Sequence, residues 1–201
     1  MSASEHQIWL ASRSPRRGEL LTRIGVRFAQ VAAETDESGL PGEPAERYVT
    51  RLARDKARAG RLTLPGQDRR PVLGADTAVV VDDQVLGKPR DRDDFVRTMR
   101  LLSGRGHRVL TAVALLADGV ERSALSVSRV TFRPLDADEI ERYWATGEPH
   151  DKAGGYAIQG YGALFVVALE GSYSGVMGLP LFETGQLLAA SGIRLMTAGL
   201  D

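Results

Sequence analysis

The sequence predicts a mixed α/β (α+β) fold, because long hairpin strands stand among interspersed helices. Two apolar segments, HRVLTAVALL and SALSVSRVTF, are joined by ADGVER, whose Asp-Gly pair is a hairpin signal. Segments with apolar residues at helical spacing occur on both sides of this pair. Such a mixture favours α+β or mixed α/β over a regular βαβ repeat.

The N-terminal part of the chain predicts two short strands and two helices. QIWLAS is an apolar strand, and Pro15–Ile24 is a helix that ends at Gly25. Ser14 is a good N-cap residue, and Pro15 suits the first helical turn. VRFAQV is a second strand, AETDESGLPGEP is an acidic loop, and Ala45–Gly60 is a second helix.

The remaining elements continue the mixed pattern. PVLGADTAVVVDDQVLGKP holds a buried strand and a hairpin-like pair that turns at Asp82-Asp83. The segments Asp91–Leu102 and Ala137–Thr146 are predicted helices, and Leu179–Ser191 is mostly helix after Gly178 and Pro180. DKAGGYAIQGYG is a glycine-rich loop, and ALFVVALEGS is a strand.

Length and composition limit the function classes. A chain of 201 residues can bury a real core, so we expect one domain over residues 1–201. Its 26 basic and 26 acidic side chains cancel, which gives no global sign of nucleic-acid or membrane binding. The lack of cysteine excludes disulfides, thiolate nucleophiles and Cys-based zinc sites. The sequence opens without a signal-peptide pattern, and no apolar run approaches the roughly 18 residues of a membrane helix, so we expect a cytoplasmic protein.

Two arginines at the start of the first predicted helix are unusual. Arg16 and Arg17 place positive charge where the helix dipole is already positive and where Asp or Glu would be expected. A helix N-terminus binds anions readily, and the hydroxyls of Ser12 and Ser14 suit phosphate oxygens. The segment predicts an anion site, with two solvated surface arginines as the alternative.

A carboxylate interrupts an apolar strand in the segment GADT, residues 74–77. Val72 and Leu73 precede this segment, and three valines follow it at residues 79–81. Buried carboxylates are unfavourable unless they are paired, protonated or bound to a metal. Asp76 is therefore expected to hold a divalent metal or to activate water, and the alternative is an aspartate that caps a turn at the end of the strand.

Two later segments offer groups for a phosphate and a base. Lys88, between Gly87 and Pro89, can reach a phosphate as a point charge, although a surface turn explains it as well. In DKAGGYAIQG the glycines allow close backbone approach to a ligand, and Gln159 can donate and accept hydrogen bonds as a base edge requires. The spacing is neither that of a Walker A loop nor that of a Rossmann fingerprint, and a structural turn is the alternative.

Together these segments predict a metal-dependent polyphosphate site. They supply cations for phosphates, a carboxylate for a metal and an amide for a base. The acidic loop adds Glu34, Asp36 and Glu37. Because hard oxygen ligands suit Mg²⁺ or Mn²⁺, such an ion would bridge this negative cluster and a phosphate.

The ordered motifs resemble those of the Maf family of nucleoside triphosphate pyrophosphatases over essentially the full length of the chain. The matching stretches are LASRSPRRGELL, AETDES, RLARDKA, LGADTAVVVDDQVLGKPRD, LLSGRGHRVLTAV, GEPHDKAGGYAIQGYGALFV and GSYSGVMGLPL. The resemblance implies a two-lobed mixed α/β fold with a central cleft, related to that of the inosine triphosphatases. It also implies a homodimer, and hydrolysis of the α–β phosphoanhydride of a nucleoside triphosphate with Mg²⁺, Mn²⁺ or Co²⁺.

The resemblance also implies roles for single residues. It makes Asp76 the general base and links Arg16, Thr77 and Gln159 to the choice of substrate. Lys152 and Gln159 match the branch that acts on dTTP and UTP, whereas the sister branch that acts on 7-methyl-GTP typically lacks both. We therefore expect a pyrimidine nucleoside triphosphate as the substrate.

The mechanism expected from these residues divides them among phosphates, metal and base. The phosphates would be held by Arg16, Arg17, Lys56 and Lys88, with Ser12 assisting. Glu34 and Asp76 would lie near the metal, and Asp76 would take the proton from the attacking water. Gln159 and Thr77 would read the pyrimidine edge.

Other functions stay open on sequence grounds. Maf proteins are associated with arrest of septum formation, so a non-enzymatic regulator that binds a protein partner is one alternative. A nucleic-acid binder is disfavoured by the zero net charge. Within the enzyme class, the alternative is a different preferred base, including that of modified pyrimidine nucleotides.

Overall fold

A seven-stranded mixed sheet forms the centre of the structure, a computed structural model that describes residues 6–196. The strands are β1 (Ile8–Ala11), β2 (Phe28–Gln30), β3 (Val72–Val81), β4 (Gln84–Leu86), β5 (Gly106–Ala117), β6 (Val120–Phe132) and β7 (Val166–Glu170). Their order is β2-β1-β3-β5-β6-β7, with β4 paired to β3. β1 is parallel to β2 and β3, and the other pairs are antiparallel. The two ends of the expected domain, residues 1–5 and 197–201, lie outside the described residues.

Helices cover both faces of this sheet. Within residues 6–196 the α-helices are α1 (Pro15–Arg23), α2 (Ala45–Thr63), α3 (Arg92–Leu102), α4 (Ala137–Ala145), α5 (Tyr173–Met177) and α6 (Leu181–Ala189). The predicted mixed α/β class is therefore confirmed. In the described part of the chain, no helix is long and apolar enough to cross a membrane.

Alternating side chains along β3 build a separate core on each face of the sheet. Ala78 and Val80 belong to a cluster of small residues beneath α2. Val79 and Val81 belong to the larger cluster on the opposite face, which residues of the other five helices join. Because small side chains separate α2 from β3, polar groups on the two elements come within hydrogen-bonding distance, as the site shows.

The pairing of β3 is interrupted along one edge. β1 pairs with it as far as Ala11 opposite Gly74, and β4 pairs with it only from Val79 onward. Within the described residues, no strand pairs with residues 75–78 on that side, whereas β5 pairs with them on the other. The gap leaves the middle of β3, including Asp76, open to a cleft.

Three local predictions are confirmed in position but differ from the structure in detail. Ser14 occupies the N-cap position of α1, but its side chain makes no capping hydrogen bond, and its backbone N–H donates to Ser12 Oγ instead. Residues 148–165 contain three 3₁₀ turns, so β7 begins later than the predicted ALFVVALEGS strand. The helix predicted after Gly178 and Pro180 is confirmed as α6, which begins at Leu181, and Gly178 at φ 115° ends a separate short helix, α5, that was not predicted.

Gly74 lets β3 lie directly against α2, which generates a first prediction. A Cβ at Gly74 would lie 2.2 Å from the carbonyl oxygen of Ala53 and 2.6 Å from the nitrogen of Ala57, and neither backbone atom can rotate away. We expect Gly74→Ala to lower the free energy of unfolding by about 1–3 kcal/mol, measured by urea denaturation. Gly66→Ala is the matched control, because nothing lies within 4 Å of its Cβ position. Equal stability of the two variants would contradict this role of the contact.

Candidate active site

One cleft beside the middle of β3 contains all of the predicted site residues. Its volume is about 790 Å³, and its walls include the segment after β1, the acidic loop, α2, β3, the turn after β4 and the glycine-rich segment. The predicted residues that line it are Ser12, Arg16, Arg17, Glu34, Lys56, Asp76, Thr77, Lys88, Lys152 and Gln159. The structure thus brings these residues to one place, while their individual roles stay predictions.

Asp76 is a buried carboxylate that borders this cleft. It is 7% exposed, and its Oδ1 accepts a hydrogen bond of 2.7 Å from Lys56 Nζ. Burial raises the pKa of Asp76, and the positive charges of Lys56 and Arg17 oppose that rise. Asp76 lies within β3 rather than at its end, so the alternative prediction of a turn-capping aspartate is wrong.

Lys56 forms ion pairs with two carboxylates, Asp76 and Glu37. The sequence predicted no specific role for Glu37 within the acidic loop. Its Nζ lies 2.6 Å from Glu37 Oε1 and 2.7 Å from Asp76 Oδ1, and the Lys56 side chain is 12% exposed. Glu34 was the predicted metal ligand of the acidic loop, and both Glu34 and Glu37 line the cleft. A loop has no periodic pattern from which the position of each acidic side chain could be predicted. The structure shows that Glu37 pairs with Lys56. In this arrangement Lys56, predicted to hold phosphate, is bound to carboxylates.

Arg17 is held in place by protein groups. Its Nε donates to the carbonyl oxygen of Gly178 at 2.8 Å. Its Nη1 and Nη2 donate to the hydroxyls of Ser12 and Thr77 at 3.0 and 3.3 Å. Burial lowers the pKa of Arg17, and Asp76 opposes that effect. The guanidinium therefore orients two further predicted site residues, in addition to placing charge in the cleft.

Arg16 has a different environment, with an exposed carboxylate as its partner. Its Nη1 lies 3.4 Å from Asp151 Oδ2, and the Arg16 side chain is 21% exposed. Asp151 also pairs with Lys152. Exposed ion pairs contribute little free energy, so a more highly charged anion can displace this carboxylate from both cations.

Thr77 belongs to a hydroxyl network that connects β3 with β5 and α5. The hydroxyls of Thr77 and Thr111 are 3.0 Å apart, and Thr111 donates to the carbonyl oxygen of Gly175 at 2.7 Å. Because that bond uses the single hydrogen of the Thr111 hydroxyl, the hydroxyl of Thr77 donates to Thr111. Arg17 donates to the same Thr77 oxygen, so the side chain is fixed from two sides.

The glycine-rich segment packs closely on the protein itself. A Cβ at Gly154 would lie 2.8 Å from Val79 Cγ2, and Gly154 and Gly155 have φ values of 69° and 71°. The sequence predicted that a ligand would approach the backbone closely at these glycines. At Gly154 the atoms that approach closely belong to Val79. The Gly154 N–H also donates to the Gly87 carbonyl at 3.0 Å, which ties the segment to the turn that carries Lys88.

A divalent metal would find carboxylates in the cleft but no protein cage. In the described ranges, no group of three or more His, Cys, Asp or Glu side chains is arranged to hold a metal ion. Asp76 and Glu37 meet at Lys56, and the predicted ligand Glu34 lines the same cleft. Mg²⁺ commonly takes one or two carboxylates and completes its shell with substrate phosphates and water. The donor set fits a metal that binds together with a phosphate-bearing substrate.

Similarity to known proteins covers nearly the whole chain. The family model described as Maf-like protein matches residues 7–191. A dTTP/UTP pyrophosphatase from Alkalilimnicola ehrlichii is 59% identical over 184 residues, which are 90% of this chain and 91% of that protein. A dTTP/UTP pyrophosphatase from Aromatoleum aromaticum is 53% identical over 206 residues, which cover 97% of this chain and 100% of that protein. On these matches, the chain belongs to the family of Maf-like proteins.

Proposed function

We propose that the protein hydrolyses dTTP and UTP to the nucleoside monophosphate and pyrophosphate. The observation that carries this proposal is Asp76, a buried carboxylate with a raised pKa in a cleft lined by cationic side chains. The cations available for the triphosphate are Arg16, Arg17, Lys88 and Lys152, while Lys56 pairs with Asp76 and Glu37. Relatives named dTTP/UTP pyrophosphatase, at 59% and 53% identity, support this choice of reaction and substrates.

In this proposal the phosphates bind to cations that now pair with an exposed carboxylate or lie exposed themselves. Arg16 and Lys152 release Asp151 and turn to the triphosphate, which carries more negative charge than one carboxylate. Lys88, exposed on the turn after β4, adds a third positive charge. Arg17 contributes charge from a fixed position and keeps Ser12 oriented towards the phosphates.

Asp76 accepts the proton of the attacking water. Its raised pKa makes it a stronger base than an exposed aspartate, and Lys56 favours the ionised form that can accept a proton. The water oxygen attacks the α-phosphorus, the α–β anhydride bond breaks, and its electron pair leaves with pyrophosphate. The product that keeps the base is the monophosphate.

The proposed cofactor is a divalent cation, Mg²⁺, Mn²⁺ or Co²⁺. Asp76 and either Glu34 or Glu37 would hold it together with phosphate oxygens of the substrate. When bound, this ion supplies positive charge that offsets the charge developing on the phosphate oxygens. Lys56 lies between Asp76 and Glu37 and keeps these two carboxylates from repelling each other.

Gln159 and Thr77 contact the base in this proposal. The exposed amide of Gln159 offers both a donor and an acceptor to a pyrimidine edge. Thr77 donates its own hydrogen within the protein, so its oxygen is left to accept from the substrate. A panel of nucleoside triphosphates with Mg²⁺, Mn²⁺ and Co²⁺ tests both the base preference and the cofactor.

Loss of the proton acceptor gives the second prediction. With UTP and Mg²⁺, Asp76→Asn lowers kcat by at least roughly 10²-fold, because the amide cannot accept the proton, while the protein stays folded. Pyrophosphate release measures turnover, and circular dichroism monitors the fold. Asp118→Asn is the matched control, since Asp118 lies in the turn between β5 and β6. Near-normal turnover by Asp76→Asn would remove the general-base role.

The third prediction concerns the pH dependence of the reaction. Lys56 lowers the pKa of Asp76 and Glu37 raises it. We therefore expect Lys56→Gln to move the acidic limb of the kcat/KM profile to higher pH by roughly 1–3 units, and Glu37→Gln to move it to lower pH. Shifts of both variants in the same direction would show that Asp76 does not set this limb.

The two arginines of α1 give the fourth prediction. Arg17→Ala leaves the buried Gly178 carbonyl without its donor, so we expect the free energy of unfolding to fall by about 1–3 kcal/mol. Arg16→Ala changes the free energy of unfolding by no more than about 0.5 kcal/mol, because only an exposed ion pair is lost. It raises KM for UTP, because a cation proposed to bind the phosphates is removed. Thermal denaturation and steady-state kinetics separate these effects. An unchanged KM in Arg16→Ala would exclude it from the phosphate site.

A further inference from the structure

Two side chains outside the cleft, Tyr143 and Glu148, fasten the segment that carries Gln159. We propose that this pair, here called the clasp, acts as a positioning device that sets the selectivity for the base. The proposal rests on the proposed function, in which Gln159 contacts the base. Neither residue lines the cleft, whereas residues 156–159 do. The clasp therefore acts on the base through the backbone of the segment that carries Gln159.

The clasp holds the backbone on both sides of Gln159. The hydroxyl of Tyr143 donates to Glu148 Oε1 at 2.6 Å and accepts from the Ala157 N–H at 3.1 Å. Glu148 Oε2 accepts from the Tyr161 N–H at 3.0 Å. Its Oε1 also accepts from the Gly162 N–H at 3.0 Å. Residues two before and two after Gln159 are thus bonded to one connected pair of side chains.

The tyrosine is suited to a fixed position. Tyr143 is 3% exposed, and its ring packs edge-on against Phe165 with centroids 5.0 Å apart. Burial raises the pKa of Tyr143, so its hydroxyl stays protonated and can donate to Glu148 while accepting from Ala157. A network of hydrogen bonds that is anchored on a buried tyrosine rigidifies the segment it holds.

The glycines after Gln159 are explained by the same contacts. A Cβ at Gly160 would lie 2.0 Å from Glu148 Oε2, and a Cβ at Gly162 would lie 2.7 Å from the carbonyl oxygen of Ala157 and 2.9 Å from the hydroxyl oxygen of Tyr143. Side chains at these positions would push the clasp away from the backbone. These two glycines therefore admit the clasp, and the segment needs no ligand to explain them.

The consequence is specific to the base end of the substrate. The proposed phosphate-binding cations Arg16, Lys88 and Lys152 lie outside residues 157–162. Lys152 donates to the backbone carbonyl of Glu148, which Tyr143→Phe and Glu148→Gln both keep. Gln159 has an exposed side chain, and its bonded neighbours hold the backbone from which its amide extends. Because displacement of a contacting group by about 1 Å can cost roughly 10²-fold, loss of the clasp weakens base recognition without weakening phosphate binding.

Two variants test this positioning role. Tyr143→Phe keeps the ring and removes the hydroxyl, which leaves the Ala157 N–H without its acceptor. Glu148→Gln keeps the shape, but its amide nitrogen faces either the Tyr161 N–H or the pair formed by the Gly162 N–H and the Tyr143 hydroxyl. We expect the ratio of kcat/KM for UTP over that for ATP to fall by about tenfold in each variant. The inhibition constant of inorganic triphosphate, which has no base, stays within about twofold of the wild-type value.

A control variant separates positioning from loss of stability. Asp68 accepts from Trp9 Nε1 at 3.0 Å and from Arg70 Nη2 at 2.6 Å, away from residues 157–162. Asp68→Asn is expected to lower the melting temperature without changing the UTP-over-ATP ratio. A ratio that falls equally in Asp68→Asn, or stays unchanged in both clasp variants, would overturn the proposal.

The two proposals fail differently. A wild-type protein that releases pyrophosphate from UTP, with unchanged selectivity in Tyr143→Phe and Glu148→Gln, contradicts the clasp alone. A wild-type protein that releases no pyrophosphate from any nucleotide contradicts the proposed function and, with it, the clasp.

Discussion

The interruption of strand pairing along β3 is the constraint on which the rest of the site depends. β1 stops opposite Gly74 and β4 begins opposite Val79, so one edge of a buried strand is open to the cleft at residues 75–78. The chain that leaves β1 carries Ser12 and the two arginines of α1, and the chain that leaves β4 carries Lys88. Asp76 lies on the face of β3 that packs closely on α2, where it contacts Lys56. The register of the sheet and the packing of α2 thus bring Asp76, Lys56 and the cations after β1 and β4 to one cleft.

Charge in the cleft is balanced locally. Lys56 bridges Asp76 and Glu37, while Arg16 and Lys152 share Asp151. These pairs offset part of the positive charge of the cleft. The repulsion expected at the start of α1 is relieved in the same way, because Arg17 donates to a carbonyl and two hydroxyls.

The sequence predicted what local chemistry determines. Asp76 interrupts an apolar segment, and Arg16 and Arg17 place positive charge at the positive end of the helix dipole. Both features can be recognised from the sequence alone. Glu37 rather than Glu34 pairs with Lys56 because Glu37 is the loop carboxylate that reaches α2. The packing of Gly160 on Glu148 depends on contacts across a turn. Such pairings between distant residues leave no periodic signal, and the short helix α5 is likewise too brief for helical spacing to show it.

In the proposed reaction, water activated by Asp76 breaks the α–β bond of a pyrimidine nucleoside triphosphate in this cleft. Phosphorus NMR of UTP incubated with the protein and Mg²⁺ in ¹⁸O-labelled water tests it most directly. We expect UMP and pyrophosphate as the products, with the label on the UMP phosphate, since attack occurs at the α-phosphorus. Label in pyrophosphate, formation of UDP and orthophosphate, or unchanged UTP would contradict it.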